Sequence, residues 1–466
     1  MDRKLVVGIC AFALVVGGVF SVWTFAGSGE NQRREALAAQ LSTAYPAERP
    51  PDGDVREFDL TAAPTTVGLA EGVTVDVWAY EGTVPGPELR VALGDTVVVN
   101  LRNELPQATS IHWHGVRVPN AMDGVPGVNQ EAVPPGDEFR YEFVPKDAGT
   151  FWFHSHNRGS EQIERGLYGS LVVIDPDEPE YDQDLVWVID DWLLDQDGSL
   201  IESFNEPHDV SHNGRWGNVV TTNGQINPTV DVQPGERVRA RIINASNARV
   251  VAPNFGGLEA VVIAVDGMLA RDPSLAEGFV LAPGNRIDVD ITMPDEEQTV
   301  VVSENFNGEG FDLVTISIAG DQRESEAFDP PMNKAVPASA ARGLGIDHEY
   351  TLDFVSAMRS PQWAFNGRPF SDTETFEAVA GDLQTIRLNN TSQALHPIHF
   401  HGQFFKVIGA DGSSIDEPFL RDTVLVFPGQ TVDIAMLPVD IGTWVVHCHI
   451  QEHAEAGMMT LLEVSA

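Results

Sequence analysis

Ten of the chain's 13 histidines fall in four short stretches. These are IHWHG (His112, His114), FWFHSH (His154, His156), HPIHFHG (His396, His399, His401) and VVHCHIQEH (His447, His449, His453). The last stretch also holds Cys448, the one cysteine outside an apolar N-terminal segment, and Met458 follows it. Imidazole, thiolate and thioether groups together are ligands for transition metals. On a strand the two rings of a His-x-His pair share one face, ~6.5–7 Å apart at the backbone, and the residue between them points the other way. Cys448 must therefore serve a different ion from the one its neighbours serve. A cysteine nucleophile would need one basic partner rather than a cluster. Zinc rarely combines eight imidazoles with a lone thiolate.

A repeat explains the placement. LRVALGDTVVVNLRNEL from Leu89, VDVQPGERVRARIINAS from Val230 and FEAVAGDLQTIRLNNTS from Phe376 each read as strand, Gly-acidic turn, and a second strand ending in Asn. The copies lie roughly 145 residues apart, the spacing of whole domains. A second landmark recurs as PPGDEFRYEFVP, APGNRIDVDITMP and FPGQTVDIAMLP, where a Pro-Gly turn opens a period-2 strand. Long amphipathic helices are nearly absent. The pattern predicts an all-β chain of three antiparallel Greek-key β-sandwiches after an N-terminal hydrophobic segment. The histidines follow the first and second landmarks of copies one and three, and copy two has none there. The four pairs can meet only where domain one faces domain three, and domain two reads as a spacer. Cys448 then finds its companions in His453, Met458 and His396, the extra histidine of copy three. A Cys, two His and a Met define a blue-copper electron-transfer site. His208, His212 and His348 fall outside the pattern and read as surface loop residues.

The expected division is 1–27 as signal or anchor, 28–55 as linker, and domains over 56–176, 177–325 and 326–466. Leu5 to Ala26 is an apolar run behind Arg3 and Lys4 that reaches the ~20 residues needed to span a bilayer. An uncleaved anchor is expected, with a signal cut near Ala26 as the alternative, and either exports the body. A net charge of -41 excludes nucleic acid and anionic membrane surfaces as partners of that body. It also suits a salty environment.

The four histidine stretches, in this order, resemble the copper motifs of the multicopper oxidases, a laccase-like family of three cupredoxin domains. The resemblance covers nearly everything after the apolar segment. It implies four copper ions. His396, Cys448 and His453 would hold the type 1 ion with Met458 axial. His112 and His399 would hold type 2, and the type 3 pair would take His114, His154, His449 and His156, His401, His447. Electrons from a donor would enter beside His453 and reduce dioxygen to water. Asp123 in NAMDG matches the family acid that helps deliver protons. A second acid, frequent after the last type 1 histidine, is replaced by Ala454, with Glu452 or Glu455 as substitutes. The implied activity is laccase-type oxidation of phenols, received in a shallow pocket beside His453. The alternative is a metallo-oxidase of Cu(I), Fe(II) or Mn(II), disfavoured by the lack of a Met-rich run. A monomer is expected. The triplets at Asn244, Asn389 and Asn390 are read as exposed glycosylation sites.

Overall fold

The computed structural model describes residues 29–45, 48–308, 310–323, 329–338, 344–357 and 360–466. The apolar segment 5–26 lies outside them, and among the described residues no helix is long and apolar enough to cross a membrane.

Six sheets form three face-to-face pairs. Strands between Val55 and Ile174 make two four-stranded sheets. Those between Gln183 and Ile318 make a six- and a four-stranded sheet, and those from His348 onward a six- and a five-stranded sheet. The three copies share an unusual feature. The strand opening each first landmark pairs in parallel with the last strand of its domain: Leu89–Ala92 with Tyr168–Ile174, Thr229–Val232 with Phe311–Ile318, Phe376–Val379 with Met459–Ser465. Parallel neighbours cannot be joined by a hairpin, so the chain must cross between sheets, as in a Greek key.

The asparagine ending the second strand does the same work three times. Asn103 Nδ2 donates to the carbonyls of Gln107 and Val133, Asn244 Nδ2 to those of Arg249 and Leu281, and Asn390 Nδ2 to those of Ala394 and Val426. One side chain thereby satisfies two buried loop carbonyls at each place where a histidine motif follows in the outer domains. Asn244 and Asn390 are fully buried, which corrects the expectation that they are exposed glycan acceptors. Their side-chain amides are already committed.

The linker expected over 28–55 also needs correcting. Residues 29–44 are helical, and Leu37, Leu41 and Tyr45 lie in the same core as Leu420, Phe404 and Leu437. Apolar residues four apart put one helical stripe on that core. From Val55 the chain is already a strand, Val55–Ala70. Part of the connector between the second and third domains packs here as well, through the buried Val336.

Candidate metal centres

Strand register brings the histidines together. His112 pairs with His154 and His114 with Trp152 in the first domain. In the third, His399 pairs with His447 and Ile398 with Cys448. Of the four His-x-His pairs, only His112 and His114 lie wholly within a strand. His156, His401 and His449 sit just past strand ends.

All eight rings meet in one buried nest. His112 stacks on His401 and His114 on His399, each with ring centroids 3.7 Å apart, so each stack joins domain one to domain three. Three triads have ligand atoms within 4.8 Å of one another: His112, His114, His399; His114, His154, His449; and His156, His401, His447.

The nitrogens divide into anchored and open ones. The Nδ1–H groups of His112, His154, His399 and His447 donate to the carbonyls of Asp123, Ser155, Asp422 and Cys448 at 2.8–3.0 Å. His401 Nδ1–H donates to the Asp123 carboxylate at 2.9 Å. Each such bond fixes the tautomer and leaves Nε2 with its lone pair. Nε2 of His112, His154, His156, His399 and His449, and Nδ1 of His114, are buried without a hydrogen-bond partner. Orphaned acceptors are costly, and six at one interface fit a set of metal ions. Burial holds His114, His154, His156, His399, His401, His447 and His449 below the usual imidazole range, neutral and ready to ligate.

Cys448 points away from this nest, as its place between two same-face residues requires. Its Sγ lies 3.6 Å from His396 Nδ1 and 3.7 Å from His453 Nδ1. The far nitrogens are tied back, His396 Nε2 to Ser392 Oγ at 2.9 Å and His453 Nε2–H to the His212 carbonyl at 2.6 Å. Burial pushes the thiol up, so a cation is needed to hold it as thiolate, and burial brings His453 down to about 3. Met458 is fully buried in the same core, and its carbonyl accepts the Cys448 N–H at 3.0 Å. The adjacent Met459 is only half-buried.

Several residues here carried no signal in the sequence. Trp363 covers both imidazoles, with centroids 4.7 Å from His396 and 4.4 Å from His453. A short helix, Pro207–Ser211, lies over it, Val210 accepting the indole N–H. His208 and His212 therefore belong to a helical turn and its end, not to a remote loop. His453 is fully buried, so the shallow pocket expected beside it is covered by domain two. Glu452 is buried as well, held by the Arg215 N–H at 3.2 Å and raised to about 7 by burial. Glu455 is exposed and accepts the Ser160 N–H at 2.9 Å.

A buried trinuclear-sized histidine nest and a Cys–His₂ centre on opposite faces of one strand, inside three β-sandwiches, define a protein that carries several copper ions. Family models described as "Multicopper oxidase" match residues 61–178, 183–318 and 347–466. The chain is 31% identical to "Multicopper oxidase MmcO" of Mycobacterium tuberculosis, over 96% of this chain and 95% of that one. It superposes on the multi-copper oxidase of Pseudomonas thermotolerans with a TM-score of 0.79 at 31% identity, covering 88% of this chain and 99% of that one. On the Campylobacter jejuni multicopper oxidase, titled a metallo-oxidase, it superposes at 0.77 with 25% identity, covering 88% and 92%. The chain belongs to the multicopper oxidase family. It is an oxidoreductase of three cupredoxin-like domains with four copper sites, of types 1, 2 and 3.

Proposed function

We propose that the chain is an exported, monomeric, laccase-type oxidase. It takes electrons singly from phenolic donors beside His453 and passes four of them to dioxygen, forming water. The reading is carried by one strand, Gly442–Cys448, which presents Cys448 to one donor set and His447 to the other. In this assignment His396, Cys448, His453 and Met458 hold type 1. His112 and His399 hold type 2, although His114 also lies within reach of that pair. His114, His154 and His449 hold one type 3 ion, and His156, His401 and His447 the other. Copper, when bound, supplies the one-electron couple at Cys448 and the reduction of dioxygen at the histidine nest. Asp123, buried and bonded to His401, is the proton-delivering acid. The apolar run 5–26 supports export, with or without retention as an anchor.

A second reading, oxidation of a reduced metal ion, is favoured by one observation. The His453 ring has no exposed edge, and its Nε2–H is already given to the His212 carbonyl. A planar phenol cannot take that nitrogen without displacing the His212 carbonyl.

Dioxygen uptake by the copper-loaded protein, with 2,6-dimethoxyphenol, Cu(I) and Fe(II) at low and molar salt, tests both. Four phenols consumed per dioxygen supports the laccase reading. Uptake with metal ions alone selects the second, and no uptake with any donor at full copper loading sinks both.

A further inference from the structure

The middle domain supplies no ligand, yet its stretch Val210 to Arg215 is bonded all along the Cys448 centre. The Val210 carbonyl accepts the Trp363 indole N–H, and the His212 carbonyl accepts His453 Nε2–H. Asn213 Oδ1 accepts the Leu395 N–H at 2.9 Å, and the Arg215 N–H donates to Glu452 Oε2 at 3.2 Å. Leu395 and Glu452 each immediately precede a ligand, His396 and His453. The Ala394–Leu395 peptide is held at both of its polar ends. Asn390 Nδ2 donates to the Ala394 carbonyl at 2.8 Å from within the third domain, and Asn213 takes the N–H from outside it.

Local sequence lets the stretch sit this close. Gly214 adopts φ +75°, and a Cβ there would meet Ala248 Cβ at 2.5 Å, Ile450 Cγ2 at 2.6 Å and Glu452 Oε2 at 2.8 Å. Only glycine suits both the conformation and the space. Ile450 shares its core with Cys448 and Met458, and Val210 and Ala248 of the middle domain belong to the same core. The stretch is also braced on its far side. Trp216 Nε1–H donates to the Asn213 carbonyl at 2.9 Å, and the fully buried Arg215 reaches Glu164 Oε1 and the Ser203 carbonyl, each at 2.9 Å.

We propose that Asn213 is a positioning residue for the Cys448 centre, fixing His396 through the Leu395 peptide while Gly214 admits the stretch that carries it. The inference rests on the reading of Cys448 as the type 1 sulfur. The His396 ring is tied through Nε2 to Ser392 Oγ, which lies on the same loop, so the ring is only as steady as that loop. Asn213 pins the loop to a second domain. Partners of this kind orient ligands without touching the ion, and a site is held to about 0.5 Å only when such supports are rigid. Asn213 acts through backbone and not at a ring edge, so its loss should change the centre and leave donor binding alone.

The test uses the copper-loaded full chain with Asn213→Ala, Asn213→Asp and Gly214→Ala. Redox titration of the visible band reads the Cys448 centre. Hydrogen exchange of the Leu395 amide in the copper-free chain reads the contact itself. We expect Asn213→Ala and Gly214→Ala to shift the band and its midpoint and to lower kcat about tenfold or more. The loss should be alike for 2,6-dimethoxyphenol and for Fe(II), with KM unchanged. Leu395 exchange in Asn213→Ala should quicken about fivefold, the worth of one hydrogen bond. Asn213→Asp keeps the acceptor oxygen and should restore slow exchange and most of kcat. An unchanged band and kcat in Asn213→Ala overturns the proposal, as does a change confined to KM or an Asp variant that exchanges as fast as the Ala variant. A wild-type chain without a visible band at full copper loading sinks the type 1 reading instead. Equal Leu395 exchange in wild type and Asn213→Ala sinks the contact, whatever the band does.

Discussion

Arg286 of the middle domain grips Asp422 of the last with both prongs of its guanidinium, Nη1 to Oδ1 at 2.9 Å and Nη2 to Oδ2 at 2.7 Å. Asp422 in turn faces His114 Nε2 at 3.3 Å, and its carbonyl accepts the His399 Nδ1–H at 3.0 Å. Arg286 therefore steadies one ligand from each outer domain. Two residues earlier, Gly284 (φ +88°) lies so close that a Cβ there would meet His114 and His449 at about 3 Å. The domain without ligands is a third wall of the histidine nest as well as a spacer.

Arg286→Leu leaves Asp422 charged, buried and unpaired, a change that costs ~3–5 kcal/mol. A lower melting temperature and fewer than four coppers per chain, with the visible band of Cys448 retained, is the expected outcome. Arg286→Lys restores the charge but not the fork and should recover only part of the copper. Full copper in the leucine variant would show that Asp422 does not depend on its partner.

Copper removal should make the chain acid-sensitive. Burial lowers the pKa of nine histidines in the two centres, His453 to about 3. Below about pH 6.5 the unfolded chain takes up protons that the folded chain refuses, so their stability is present above that pH and drains as pH falls toward 3. Each contributes up to ~1.4 kcal/mol per pH unit. Circular dichroism should show the copper-free chain unfolding between pH 6.5 and 5, while the loaded chain, its lone pairs engaged, persists lower. Coincident acid transitions for the two forms would contradict this.

Cys448→Ser removes the sulfur facing His396 and His453 but none of the eight nest imidazoles. The intense visible absorption and donor oxidation should vanish while about three coppers remain bound. Retention of the visible band in this variant would refute the type 1 assignment.

What the sequence disclosed and what it hid have physical causes. The Gly-acidic turns, the strand-ending Asn103, Asn244 and Asn390, and the repeat-locked histidines are local patterns, and the sandwiches and the convergence of the histidines can be read from them. The Arg286–Asp422 pair joins residues 136 apart with no periodicity between them. The His212 carbonyl and the lid of Trp363 and Val210 are equally silent, because a backbone oxygen has no side-chain signature. Asn244 misled, since the triplet that marks a glycan acceptor is here a buried Asn bracing its own loop, Ser246 N–H donating to Asn244 Oδ1 at 3.2 Å.

The helix over residues 29–44 carries its signal in Leu37, Leu41 and Ala44, spaced as one apolar stripe, and it has a structural task. Tyr45 OH donates to the Leu437 carbonyl at 3.0 Å, Arg34 Nη2 to that of Leu383 at 2.8 Å, and Arg117 lies over the Tyr45 ring at 5.3 Å. Leu437 and Leu383 belong to the third domain and Arg117 to the first. The helix thus clips together the two domains whose meeting makes the histidine nest. A chain beginning at residue 48 should melt at lower temperature and hold fewer nest coppers than one beginning at residue 28. Leu41→Ala, which opens a cavity in the shared core, should cost ~2–5 kcal/mol. Equal melting temperature and equal copper in the two truncations would show that the outer domains stay joined without the helix.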